Sequence, residues 1–135
     1  MKTLITLLLV AAPLMAQMSV NWEHDFASAQ KRAKTEKKQI FLDLWTEWCP
    51  PCRYLRDEIF PKPASQAALA QYIPFSSLVQ KKDRTPVEEG TKLAGKYNLQ
   101  AFPTLIILDA EGKEIRRHVG AFENPEGLAA WLEGK

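Results

Sequence analysis

The sequence predicts an α/β protein, a three-layer sandwich in which a mixed central sheet is flanked by helices. Three observations carry this. Two nearly continuous apolar runs, residues 39–45 and 104–108, suit strands buried on both faces of a sheet. Stretches with apolar residues at helical spacing alternate with such runs, and a hairpin followed by a last helix ends the chain.

Each element has its own local reason. Phe26, Ala29 and Ala33 recur at helical spacing, which predicts an amphipathic helix over residues 25–37 with a Lys and Glu polar face. The buried strand 39–45 follows, and a second helix begins at once. Cys52, Leu55 and Ile59 share one face of it, so Cys52 is expected to point into the core while Cys49 sits at the exposed helix start. Pro61 and Pro63 interrupt this helix, and another stretch, 64–72, ends before Pro74. Residues 75–79 are a candidate strand. Thr85-Pro86-Val87-Glu88 combines a capping box with proline at the first helical position, predicting a helix from there to about Tyr97. Residues 104–108 form a short buried strand, 109–112 a turn, and 114–119 a more charged partner strand at an edge. Asn124, with Pro125 behind it, caps a last helix whose apolar face is Leu128, Trp131 and Leu132.

The first residues resemble a leader. Lys2 precedes an apolar run over residues 4–12, then Pro13 and the small Ala16. A helix needs about 20 apolar residues to span a bilayer, so a permanent membrane anchor is not expected. Cleavage after Ala16 leaves 119 residues (135 minus 16), enough for one domain over 17–135. The 18 basic and 16 acidic residues are interspersed, so nucleic acid is not indicated. The densest basic cluster, Lys81-Lys82-Asp83-Arg84, reads as a solvated loop.

The two cysteines of the chain stand at i and i+3 in Trp48-Cys49-Pro50-Pro51-Cys52. At a strand-to-helix junction this spacing reads as a thiol-disulfide redox pair. An inert staple closing so short a loop gains only roughly 2 kcal/mol. Zinc needs four ligands, and only His24 and His118 remain, far apart in sequence, so neither a metal nor another cofactor is expected. Asp43 is the lone acid in its apolar strand. Burial there raises a carboxyl's pKa toward the working range of a base; a strand that turned it to solvent or a lysine would give it no such part.

Leu42-Asp43-Leu44-Trp45-Thr46-Glu47-Trp48-Cys49-Pro50-Pro51-Cys52 resembles the active-site segment of thioredoxins. Phe102-Pro103-Thr104 is similar to their cis-proline loop, and Val119-Gly120-Ala121 to the glycine turn facing the active site. The opening from Asn21-Trp22 to Lys38-Gln39-Ile40-Phe41 is similar to the secreted subgroup that includes the C-terminal domain of DsbD. The resemblance implies a thioredoxin-like fold and a protein-disulfide oxidoreductase. It implies Cys49 as nucleophile, Cys52 as the resolving thiol and Asp43 as its base, with Trp48, Phe102, Pro103 and Gly120 lining the substrate groove. Trp48 fits simple packing as well, and Pro103 fits an ordinary proline opening a strand. Protein disulfides are the implied substrates, a membrane-embedded thiol protein a possible electron donor, and the periplasm or exterior the implied place. A reductase is the leading reading, with an oxidase or isomerase, a dedicated electron relay or a redox-inert binding module as alternatives. One departure stands out: residues 75–79 lack the lysine that many thioredoxins carry near the buried acid.

Overall fold

The computed structural model describes residues 19–135, so the expected leader, residues 1–16, lies outside the described residues. Helix α1 (Phe26–Glu36) starts at Asp25, whose carboxylate accepts the Ser28 N–H at 2.8 Å, and stops at Lys37, which takes the left-handed conformation at φ 53°. Strand β1 (Ile40–Thr46) leads into α2 (Pro50–Tyr54), which continues as a π-helical turn over Leu55–Ile59. There the N–H of Phe60 reaches back to the Leu55 carbonyl at 2.7 Å, an irregularity that the apolar spacing did not reveal. Then come α3 (Pro63–Leu69), β2 (Ile73–Gln80), α4 (Glu88–Lys96), β3 (Thr104–Leu108), β4 (Glu114–Val119) and α5 (Pro125–Leu132).

The sheet runs in the order β2-β1-β3-β4, with β1 parallel to β2 and the other pairs antiparallel. It is therefore mixed, as the element order implied. β1 and β3 are the inner strands, and all but one of their residues are buried. Side chains alternate between two cores. Ile40, Leu42, Leu44, Ile106 and Leu108 meet α1 and α4 on one side. Phe41, Leu105 and Ile107 meet Leu55, Ile59, Leu69, Leu128 and Leu132 from the helices of the other side. β4 is an edge strand, with Ile115 and Val119 exposed.

Two expectations need correction. β2 begins at Ile73 and runs through Pro74, whereas proline was expected to precede the strand. β2 is an edge, so the missing N–H of Pro74 costs little, and its carbonyl accepts the N–H of Glu23 at 2.8 Å. The capping box at Thr85 does not form. Residues 85–87 stay extended along the end of β2, with Lys81 N–H bonded to the Thr85 carbonyl and Val87 N–H to that of Val79, so α4 starts at Glu88 without a side-chain cap. Pairing with the strand satisfies backbone groups that the cap would have served.

Helix α4 docks on β2 through Gly90. A Cβ at this position would lie 2.0 Å from the Leu78 carbonyl oxygen, an approach that only glycine permits. Gly90→Ala is expected to lower stability by about 1–3 kcal/mol by overpacking. Gly95→Ala, with nothing within 4 Å of the new methyl, is expected to raise it by about 0.5–1 kcal/mol. Urea midpoints of the two variants check this; equal midpoints contradict the packing described.

Candidate active site

The end of β1 delivers Cys49 to the first turn of α2. Its backbone is extended (φ −91°, ψ 108°), Pro50 occupies the first helical position, and its Sγ accepts the Cys52 N–H at 3.3 Å. Pro50 and Pro51 have no N–H, so Cys52 supplies the first amide of the helix able to reach this sulfur. Cys49 and Cys52 are joined by a disulfide, with Cα atoms 5.3 Å apart. The expected exposure of Cys49 is corrected: it is 3% exposed and Cys52 1%. Bonding to Cys52 and to its amide draws the Cys49 sulfur inward, against a partner that already faces the core with Leu55 and Ile59.

Asp43 is 1% exposed. The strand alternation turns it, with Phe41, toward the layer that holds Leu55, on the π turn that continues α2 and its Cys52. Ser76, its register partner on β2, donates its hydroxyl to Asp43 Oδ2 at 3.1 Å. Burial pushes the carboxyl up to about 7; the Ser76 hydrogen bond and the charge of Arg56 oppose the rise without cancelling it. Arg56, from the π turn, places its guanidinium carbon over the Trp45 ring, 3.7 Å from the ring centre. Arg56 and Ser76 are the polar neighbours of this acid, and only the tertiary fold brings them to it.

The rim of the site is built from distant segments. The Phe102–Pro103 peptide bond is cis. Phe102 meets Trp48 edge-on, with ring centres 6.1 Å apart, and Trp48 Nε1 donates to Gln80 Oε1 at 2.9 Å. The Gly120 N–H donates to the Pro103 carbonyl at 2.9 Å, which ties the glycine turn to the proline loop. Gly120 has φ +97°, a conformation that suits glycine, and the space where a side chain would project is open. Trp48, Phe102, Pro103 and Gly120 thus form connected pairs, Trp48 with Phe102 and Pro103 with Gly120. The basic loop reaches this rim as well: Arg84, with φ 69°, places its guanidinium 4.3 Å from the centre of the Trp48 ring. Its sequence looked merely solvated, and no local signal marks the contact. Among the described residues, no group of three or more His, Cys, Asp or Glu side chains could hold a metal ion.

This geometry agrees with the comparisons. The family model described as a thioredoxin-like domain matches residues 26–134. The chain belongs to the thioredoxin-like family. Within that family it has the bonded cysteine pair of a thiol-disulfide oxidoreductase. It is 30% identical over 84 residues to a thioredoxin from Mycoplasma genitalium, covering 62% of this chain and 71% of that one. It is 32% identical over 95 residues to the thiol:disulfide interchange protein DsbD of Pectobacterium atrosepticum, covering 70% of this chain but only 16% of the relative. Among solved structures, DsbH oxidoreductase superposes with a TM-score of 0.71 at 27% identity, covering 93% of this chain and 88% of that one.

The raised carboxyl of this thioredoxin-like chain makes stability depend on pH. Asp43 ionises near 7 when folded and near its ordinary 3.8 when unfolded. The folded state therefore holds the proton more tightly, and the stability this proton provides is complete below about pH 4 and lost as pH rises through 7. At ~1.4 kcal/mol per pKa unit the full loss is roughly 4 kcal/mol. Asp43→Asn is thus expected to be more stable than the parent at pH 8 by about 2–4 kcal/mol, with the gap closing toward pH 4. Urea unfolding at both values measures it, and a gap independent of pH contradicts the assignment.

Proposed function

We propose that the protein reduces disulfides in other proteins, after export from the cytoplasm, through Cys49 and Cys52. The observation that supports this best is a disulfide at a helix N-terminus together with a buried carboxyl, Asp43, on the sheet face that this helix and its π turn cover. In the reduced protein, the helix dipole and the Cys52 N–H favour the Cys49 thiolate. This thiolate attacks one sulfur of the substrate disulfide; the other sulfur leaves as a thiolate and takes a proton from solvent. Asp43 then accepts the Cys52 proton, and the Cys52 thiolate attacks Cys49. The Cys49–Cys52 bond forms as the mixed disulfide breaks, and the substrate leaves with both sulfurs reduced. Trp48, Phe102, Pro103 and Gly120 border the groove where an extended substrate segment docks, which suits recognition by backbone pairing.

The leader over residues 1–16 supports a periplasmic or secreted site of action. No described helix is long and apolar enough to cross a membrane. The similarity to DsbD supports a membrane-embedded thiol protein as the electron donor, and favours as second reading a dedicated relay between two fixed partners.

The direction of electron flow rests on how little stabilises the Cys49 thiolate. Pro50 and Pro51 offer it no N–H, and no histidine lies between the cysteines. The expected potential is between about −270 and −200 mV, measured by equilibration with glutathione buffers. A value near about −120 mV makes the protein an oxidant and overturns the reductase reading. Rapid reduction of insulin by the reduced protein separates a general reductase from a relay, which turns over slowly without its partner. Cys52→Ala is expected to accumulate mixed disulfides on Cys49, identified by mass spectrometry; accumulation in Cys49→Ala instead reverses the two roles.

A further inference from the structure

A buried base must lose its proton again before the next cycle, and the surroundings of Asp43 leave few ways out. Along β1 its neighbours on the same face are Phe41 and Trp45. On β3 its register partner is the buried Leu105. On β2 the partner is Ser76, the residue that donates a hydrogen bond to Asp43 at 3.1 Å. Asp43 does not reach solvent itself. Ser76 does: together with Trp45 and Arg56 it lines a cavity of about 1230 Å³ that opens to the surface beside the sheet edge. The Arg56 guanidinium rests on the Trp45 ring in the wall of this cavity.

We propose that Ser76 passes the Asp43 proton to solvent in this cavity, and that Arg56, held on Trp45, steadies the carboxylate while it is ionised. Both are positioning residues for the thiol exchange, and the proposal rests on the reading of Asp43 as the base of Cys52. When Cys52 gives up its proton, Asp43 becomes a neutral acid. Its O–H then donates to Ser76 Oγ, and the serine hydroxyl turns its own hydrogen to cavity water. Transfer along this pair returns Asp43 to the carboxylate and Ser76 to the donor seen in the structure, with one proton delivered to solvent. The charged and titratable groups that line the cavity with Ser76 are Arg56 from the π turn, His24 and Glu89; Cys52 lies one helical turn before Arg56. Arg56 is exposed, so its help to the carboxylate is partly screened by solvent.

The test follows release of a model substrate thiol over repeated turnovers, with dithiothreitol re-reducing the Cys49–Cys52 disulfide after each one, between pH 5 and 9, in Ser76→Ala, Ser76→Thr, Arg56→Met, Asp43→Asn and the Ser76→Ala/Asp43→Asn double variant. Ser76→Ala is expected to slow release about tenfold at pH 7, less than the roughly 10²–10⁴-fold of a general base itself, because it removes only the path by which the base resets. Ser76→Thr, which keeps the hydroxyl, restores the rate. Arg56→Met moves the midpoint of the pH profile upward. Adding Ser76→Ala to Asp43→Asn costs nothing further, because the two act in one path. Formation of the mixed disulfide by Cys49 stays at the parental rate throughout. An unchanged rate in Ser76→Ala, failure of threonine to rescue, or an equal loss in the Asp43→Asn background overturns the relay. Titration of a ¹³C-labelled Asp43 carboxyl keeps the two readings apart. If Asp43→Asn releases at the parental rate while the carboxyl titrates higher in Ser76→Ala, the base reading fails although the Ser76 contact is real. If Asp43→Asn is slow and the carboxyl titrates identically in Ser76→Ala, the relay alone fails.

Discussion

A strand covered by helices on both faces has no side left for water, and β1 nevertheless carries a carboxylic acid. Most of the site follows from that conflict. Ionising an unpaired carboxylate in such a place is costly enough that the group keeps its proton instead. Asp43 is held near the midpoint of its titration because burial raises it, while one hydroxyl from β2 and one guanidinium from the π turn pull it partway back. A more polar setting would leave the carboxylate permanently ionised; a fully apolar one would lock the proton in place. The same alternation that buries Asp43 turns it toward the layer of Leu55 and Ile59, on the π turn that continues the helix of Cys52.

The disulfide depends on the strand in a second way. β1 ends at Thr46, and within three residues the chain starts a helix whose first two positions are prolines. They cannot donate to the sulfur, which leaves the Cys52 amide as its backbone partner. Burial of both cysteines in the bonded state means that, in the proposed function, an approaching substrate meets the rim before the sulfurs. That rim is pinned at several points: Trp48 by Gln80, Phe102 and Arg84, and the proline loop by the Gly120 amide.

Much of the fold was legible because its signals are local. The β3 and β4 boundaries follow from apolar and charged runs, and α5 from Asn124 and Pro125, whose cap forms with the Gly127 N–H at 2.8 Å. The helix at Thr85 was misplaced for the opposite reason. A capping box is a contest between a side chain and whatever else can satisfy the backbone, and here the end of β2 wins. Pro74 misled in the same manner, since its tolerance in a strand depends on that strand being an edge.

The proline and glycine turns were implied by the resemblance to thioredoxins; by itself the sequence determined the cysteine pair, the buried central strand with its single acid, and the order of elements that makes a mixed sheet. These are properties of spacing and of which residue types tolerate which backbone, and they survive without knowledge of neighbours. Only the tertiary structure decided what stands around Asp43 and Trp48. Ser76 comes from a strand paired in parallel 33 residues away, Arg56 from an irregular turn, and Arg84 from a loop that resembled any solvated basic segment. Burial and charge at a site are sums over residues remote in the chain, so no local pattern could announce them.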